Sequence, residues 1–311
     1  MYLLIADPSA EDYKKDLEAK FPEVSLHAVA REEEIRHHVD KMEILVTIYR
    51  ISDELLKQAT HLKWIQATTS GVNYIINRPS LRKEVIVTSA RGIHGPQMSE
   101  MAFLLMLALN RDFSQVIRNQ NRRVWERWPT KLLFQKKVGI LGIGVIGEEI
   151  ARKCKAFGMT VLGIDIVKRK VDVVDTFYGP EDLLRVAKEV DYLILVASST
   201  PETNKIIGAK VLSSMKSTAF LINIARGELV DEEALLHALE TEKIAGAALD
   251  VFSTEPLPKD HPLWGMKNLI ITPHVGGMSD IYKDQVMPII EENLRRFLRG
   301  ERWNLVNYIE R

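Results

Sequence analysis

An α/β fold built on parallel sheets and divided into about two domains is what this sequence predicts, on three observations. Short apolar runs alternate with stretches of helical periodicity along nearly the whole chain. The runs show little in–out alternation, as strands buried on both faces do, and strand–helix–strand repetition makes right-handed crossovers in a parallel sheet. The chain has 311 residues, 46% of them hydrophobic, which is material for more than one core. A glycine-rich strand–turn–helix begins near residue 137, so the α/β pattern upstream of it needs a domain of its own.

Strands are expected at Leu3–Ala6, Ile44–Ile48, Trp64–Ala67, Val85–Thr88, Val138–Leu141, Val161–Ile164, Tyr192–Val196, Phe220–Ile224 and Leu269–Ile271. Each is a short, β-branched or aliphatic run bounded by polar or glycine positions. Helices are expected at Asp53–Gln58, Gln97–Asn110, Glu148–Ala156, Asp231–Leu239 and Asp280–Leu298. Asp231 and the pair Ser279-Asp280 place capping or acidic residues at helix starts, where free N–H groups favour them. No short-period repeat, low-complexity tract or Gly/Ser linker marks a boundary.

Composition narrows the function. Lys+Arg and Asp+Glu both number 42, so the net charge is zero and the basic surplus of a nucleic-acid binder is missing. The run Lys168-Arg169-Lys170 reads as a solvated loop. A single cysteine, Cys154, rules out an intrachain disulfide and a thiolate metal cluster, and its place in a helical pattern reads as buried and inert. The opening Met1-Tyr-Leu-Leu-Ile-Ala-Asp7 lacks a basic segment and reads as a strand, not a signal peptide. The longest strongly apolar run, Met101–Leu109, is about half a membrane span. The expectation is a cytoplasmic protein with no nucleic acid, membrane or metal among its partners.

The strongest local motif is Gly142-x-Gly144-x-x-Gly147, entered from the strand Val138–Leu141 and continued as a helix. One glycine makes the tight turn, one lets the backbone approach a pyrophosphate, and one allows close helix–strand packing. Amides at the helix start, those of Val145 and Ile146 among them, are placed to bind phosphates. Asp165 closes the next strand, 18 residues past Gly147, where an acid bonds the ribose hydroxyls and repels a 2′-phosphate. The expected cofactor is therefore NAD, with NADP disfavoured. None of the eight tyrosines has a lysine four residues on, so the tyrosine–lysine pair of short-chain dehydrogenases is absent.

Three downstream segments resemble the D-isomer-specific 2-hydroxyacid dehydrogenase family. They are Asn223-Ile-Ala-Arg226-Gly-Glu-Leu-Val-Asp, Gly246-Ala-Ala-Leu-Asp250-Val-Phe-Ser-Thr-Glu255-Pro, and Thr272-Pro-His274-Val-Gly-Gly277. The resemblance implies two Rossmann-like domains, the cofactor domain inserted into a discontinuous substrate domain: 1–89 with 277–311 for substrate, 90–276 for NAD. It implies hydride transfer between the nicotinamide and a small 2-keto or 2-hydroxy acid. Arg226 would hold the substrate carboxylate and carbonyl oxygen, His274 would be the acid–base group, and Glu255 would orient His274 and favour its protonated form.

The chemistry of these side chains agrees with those roles. A guanidinium offers a planar two-pronged contact to oxygen pairs, and histidine alone has an ordinary titration range near neutrality. By the same resemblance Asp250 meets the nicotinamide end, Ala197, Ile224 and Gly277 line the cofactor through backbone atoms, and Ser70-Gly71-Val72 present amides to the substrate carboxylate. The region Arg118–Trp128 resembles the family's dimerisation arm, implying a homodimer; its arginines and tryptophans would otherwise read as a nucleic-acid patch.

The sequence also departs from the family. Val196-Ala-Ser198-Ser199-Thr200 replaces the usual His-x-Pro-Leu-Thr. Val46 and Ala67 stand where phosphoglycerate dehydrogenases carry phosphate-binding arginines, which disfavours that substrate. Glu255 stands where formate dehydrogenases have glutamine. Tyr49 and Arg50 fall near the expected substrate cleft without an assigned role. Two alternatives stay open: an NAD(H)-sensing corepressor on the same scaffold, and a dehydrogenase of another substrate such as phosphite.

Overall fold

The computed structural model describes residues 1–167 and 169–311. Lys168, the first residue of the basic run, lies outside the described residues; Arg169 and Lys170 are exposed. The chain forms two compact units, Met1–Ile93 with Ser279–Arg311, and His94–Met278. The divisions fall after Ile93 and Met278 rather than after residues 89 and 276. Local bonds account for both offsets. The Ala90 N–H donates to the Thr69 carbonyl (2.9 Å) and Asn307 Nδ2 donates to the Arg91 carbonyl (2.7 Å), so 90–93 stay with the first unit. Gln97 Nε2 donates to the Gly277 carbonyl (3.4 Å), which keeps 277 with the second.

The first unit opens with β1 (Tyr2–Ala6), α1 (Ala10–Glu18), β2 (Ser25–Val29), β3 (Ile44–Thr47), α2 (Asp53–Gln58), β4 (Trp64–Ala67), α3 (Asn73–Ile76) and β5 (Ile86–Thr88). Its five strands are parallel in the order β2-β1-β3-β4-β5. Leu3, Leu4, Ile5, Ile44, Leu45 and Val46 are all fully buried, because alternate side chains feed cores on opposite faces of the sheet. β2 escapes the apolar-run criterion because it is an edge strand, Ser-Leu-His-Ala-Val, with only Leu26 and Val29 buried.

The second unit contains α4 (Gly95–Asn110), α5 (Phe113–Arg122), β6 (Lys137–Leu141), α6 (Val145–Ala156), β7 (Thr160–Ile164), β8 (Thr176–Tyr178), α7 (Leu183–Glu189), β9 (Tyr192–Leu195), α8 (Ala209–Ser214), β10 (Phe220–Asn223), α9 (Glu232–Glu240), β11 (Gly246–Leu249) and β12 (Leu269–Ile271). Seven parallel strands run in the order β12-β11-β10-β9-β6-β7-β8. β11 is Gly-Ala-Ala-Leu, wholly buried yet too small in side chain to read as an apolar run. Its Gly246 is obligatory: a Cβ there would stand 2.5 Å from the Asn268 carbonyl oxygen.

The chain then returns to the first unit as α10 (Tyr282–Leu298). Asp231 caps α9 as expected, its carboxylate accepting the Ala234 N–H (3.3 Å). Ser279-Asp280 do not cap α10. That helix starts at Tyr282 behind Ile281, with no side-chain cap, and the Ser279 hydroxyl is engaged with Gln285 (3.2 Å) instead. Beyond α10 the tail runs antiparallel to β5, with the Ile309 N–H donating to the Val87 carbonyl (2.9 Å). The tail thus covers a sheet edge that would otherwise present unpaired backbone groups.

Candidate active site

The glycine turn leaves β6 at Gly142, whose φ of +101° belongs to the region glycine favours. A Cβ on Gly142 would also lie 2.8 Å from the Ala197 nitrogen, and one on Gly147 only 2.0 Å from the Gly142 oxygen. The first and third glycines are therefore demanded by the chain's own packing. Gly144 is not, since a Cβ there would meet no protein atom within 4 Å. A close-approaching phosphate would require this position to be bare. α6 begins immediately after it, with Gly144 in extended conformation and no side chain capping the first turn. The N–H groups of Val145 and Ile146 thus sit at an uncapped helix N-terminus, the arrangement that binds phosphate. These residues fit a dinucleotide.

Asp165 follows β7. Its Oδ2 accepts the Ile143 N–H at 2.7 Å and its Oδ1 the Val167 N–H at 3.3 Å. Arg169, from the same loop, donates through Nη2 to the Ile143 carbonyl (2.6 Å) and pairs with Glu148 in the first turn of α6.

The remaining candidates of this unit stand at the carboxyl ends of the central strands, where open parallel sheets take their ligands. Ala197 follows β9, buried Ile224 follows β10, Asp250 ends β11, and His274 with Gly277 follows β12. Arg226 has extended backbone and its carbonyl accepts Asn223 Nδ2 (2.8 Å); its Nη1 donates to the Ala225 carbonyl (2.6 Å). The next residue must be glycine, because a Cβ on Gly227 would overlap the Phe252 carbonyl carbon at 1.9 Å. The Phe252 N–H in turn donates to Glu255 Oε1 (3.0 Å), and Glu255 Oε2 lies 2.8 Å from His274 Nδ1. Backbone packing and a carboxylate thus connect the Arg226 segment to the His274 ring.

His274 has φ +54°, a left-handed conformation that costs energy outside glycine. Asp250 is what holds it. Its Oδ1 accepts from the Thr272 hydroxyl (2.5 Å) and the Val275 N–H (3.1 Å), and its Oδ2 from the Gly276 N–H (2.9 Å). Expected at the nicotinamide, Asp250 is 1% exposed and bonded on both oxygens to the loop that carries His274.

Sequence reasoning passed over His94, at the head of α4 in the same unit. Its ring is buried against Gly277, where a Cβ would stand 3.4 Å from His94 Cδ2. Burial pushes its pKa down to about 4, and the charge of Arg226 adds to the shift. A neutral imidazole therefore stands near the candidate substrate cation. The one signal for it was a histidine beside Gly95-Pro96 at a helix start. Asn223, which orders the Arg226 segment, carries no functional signal of its own in the sequence.

Ser70, Gly71 and Val72 belong to the first unit, in the loop after β4, where the Thr69 hydroxyl donates to the Gly71 carbonyl (3.0 Å) and Val72 is buried. Val46 and Ala67 are buried without charge in the same sheet. Cys154 is buried and its thiol is pushed up to about 12. Among the described residues no three His, Cys, Asp or Glu side chains converge as a metal site, and no helix is long and apolar enough to cross a membrane.

Residues 103–276, more than half of the chain, match the family described as D-isomer specific 2-hydroxyacid dehydrogenase, NAD binding domain. A D-3-phosphoglycerate dehydrogenase of Methanocaldococcus jannaschii is 34% identical over 304 residues, which is 96% of this chain and 58% of that protein. The chain thus spans little more than half the length of that relative. A glyoxylate reductase of Korarchaeum cryptofilum is 33% identical over 264 residues, covering 83% of this chain and 80% of the other. Among solved structures, a D-isomer specific 2-hydroxyacid dehydrogenase family protein of Aeromonas salmonicida superposes with a TM-score of 0.91 at 33% identity. The match covers 99% of this chain and 98% of that one.

Proposed function

Because the chain belongs to the D-isomer specific 2-hydroxyacid dehydrogenase family, we propose that it transfers a hydride between NAD(H) and a small 2-keto or 2-hydroxy acid of the D series. The observation that carries the reading is the His274–Glu255 contact of 2.8 Å, joined to the Arg226 segment through Gly227 packed on Phe252. When bound, the nicotinamide supplies or accepts the hydride. Arg226 holds the carboxylate and carbonyl oxygen and favours the negative charge that grows on that oxygen. Glu255 holds the proton of His274 on Nδ1, so Nε2 faces the reacting oxygen and delivers a proton to it in reduction. Asp250 keeps the strained loop in place during both directions.

Asp165 supports NAD(H) over NADP(H), being an acid where the ribose hydroxyls bind. A small, unphosphorylated keto acid such as glyoxylate is the proposed substrate, because the positions where phosphoglycerate dehydrogenases carry phosphate-binding arginines are Val46 and Ala67 here. The first unit is proposed to carry the substrate-reading loop Ser70-Gly71-Val72. The reading extends to a cytoplasmic homodimer, supported by apolar side chains left exposed from Phe113 to Trp125.

The test is turnover of glyoxylate, hydroxypyruvate, pyruvate and phenylpyruvate with NADH and NADPH, with the product's configuration assigned, and oxidation of phosphite with NAD. Reduction of at least one keto acid to the D-hydroxy acid supports the proposal. Binding of NADH without turnover of any of them replaces it with a sensor, and turnover of phosphite alone replaces the substrate class.

A further inference from the structure

Asp165 and Arg169 grip one residue from two sides. Asp165 takes the Ile143 N–H at 2.7 Å, and Arg169 gives a hydrogen bond to the Ile143 carbonyl at 2.6 Å. Ile143 is the middle of the turn Gly142-Ile143-Gly144, and it cannot shift easily. Its side chain is buried and lies so close to Gly163 that a Cβ there would meet Ile143 Cγ1 at 2.9 Å. The guanidinium of Arg169 is thereby fixed one residue's span from the carboxylate expected to bind the adenosine ribose. A nearby arginine is the group that receives the 2′-phosphate when such a site takes NADP(H). Here that guanidinium is already paired, with Glu148.

We infer that Glu148 is a positioning residue for cofactor choice: it holds the Arg169 guanidinium on the glycine turn and neutralises it, which denies that cation to a 2′-phosphate. This rests on the nicotinamide-cofactor reading above. The charges make the argument. Around Ile143 two carboxylates, Asp165 and Glu148, face one guanidinium, a net charge of −1 against a phosphate that is itself dianionic. Replacing Glu148 by glutamine keeps the size, brings the local sum to zero and frees Arg169 to turn toward the phosphate. Both side chains are partly exposed, 45% for Arg169 and 30% for Glu148, so the effect is modest and weakens as salt rises.

The experiment measures the Kd of NADH and of NADPH by calorimetry on the full chain, without substrate, for the wild type, Glu148→Gln, Glu148→Ala and Glu148→Gln with Arg169→Met. Thermal melts check that each variant is folded. The expected result is a drop in the NADPH Kd of about tenfold in both Glu148 variants, with the NADH Kd moving much less, and loss of the gain in the double variant. Raising the salt concentration should shrink the gain. Equal shifts for the two dinucleotides overturn the inference, since Glu148 would then only shape the turn. A gain that survives Arg169→Met overturns it too, because another cation is then the receiver. If the wild type binds NADH but no variant gains NADPH affinity, only this inference falls. If the wild type binds neither dinucleotide, the cofactor reading falls first.

Discussion

The His274 ring meets Glu255 through Nδ1, 2.8 Å from a carboxylate oxygen whose partner oxygen is occupied by the Phe252 N–H (3.0 Å). A carboxylate so placed fixes the ring's orientation and holds the proton on Nδ1. Glu255→Gln removes the charge and keeps the size, and kcat for keto-acid reduction should fall by about tenfold or more while the NADH Kd stays put. Steady-state kcat and the NADH Kd for wild type and variant are the check; an unchanged kcat means Glu255 does not serve His274.

His94 gives a pH effect that is read in stability. Its pKa lies near 4 in the fold against an ordinary 6.5, so between those values the unfolded chain binds a proton the folded chain refuses. Stability should then be unaffected by His94 above pH 6.5 and should fall on acidification toward pH 4, by on the order of 2–3 kcal/mol. His94→Gln, which has no such proton to take, should show a flatter Tm between pH 7 and 4.5. Parallel Tm curves would place the acid sensitivity elsewhere.

At the scale of elements, α9 depends on a single side chain for its start. The Asp231 carboxylate accepts the Ala234 N–H, and Asp231→Ala should cost about 1 kcal/mol, a Tm loss of about 2–4 °C for a unit of this size. A Tm unchanged within 1 °C or so would show that water satisfies the helix end equally well. A polar network in the first unit is of another kind. Trp64 donates to the Thr88 hydroxyl (2.8 Å), Thr88 to Gln66 (2.7 Å), and Asn293 of α10 to Gln66 (2.8 Å) and to the Val306 carbonyl (3.0 Å); the side chains of Trp64, Thr88, Gln66 and Asn293 are buried. It ties β4, β5, α10 and the tail together. Nothing in the sequence announces it, since each member reads alone as a polar interruption in an apolar run.

At the scale of the molecule, the apolar side chains exposed along α5 and after it need cover. Phe113 and Ile117 are one helical turn apart, 52% and 42% exposed, and Trp125 is 91% exposed. Light scattering at micromolar concentration should give twice the chain mass, and Phe113→Glu with Ile117→Glu should give the single chain mass without loss of fold. A wild type that is monomeric at such concentrations would remove the homodimer proposal.

The α/β class, the parallel sheets, most central strands and the glycine turn after β6 are legible in the residues alone, because strands buried on both faces and a tight turn restrict residue types locally. Which side chains meet is set by packing between segments far apart in the chain. Asp250 braces the His274 loop, Glu148 and Arg169 converge on Ile143, and His94 lies buried against Gly277. The edge strands β2 and β8, the small-residue strand β11 and the true start of α10 are set by the same packing. Their residues carry little hydrophobic signal of their own, and they take their conformation from the neighbours they pair with.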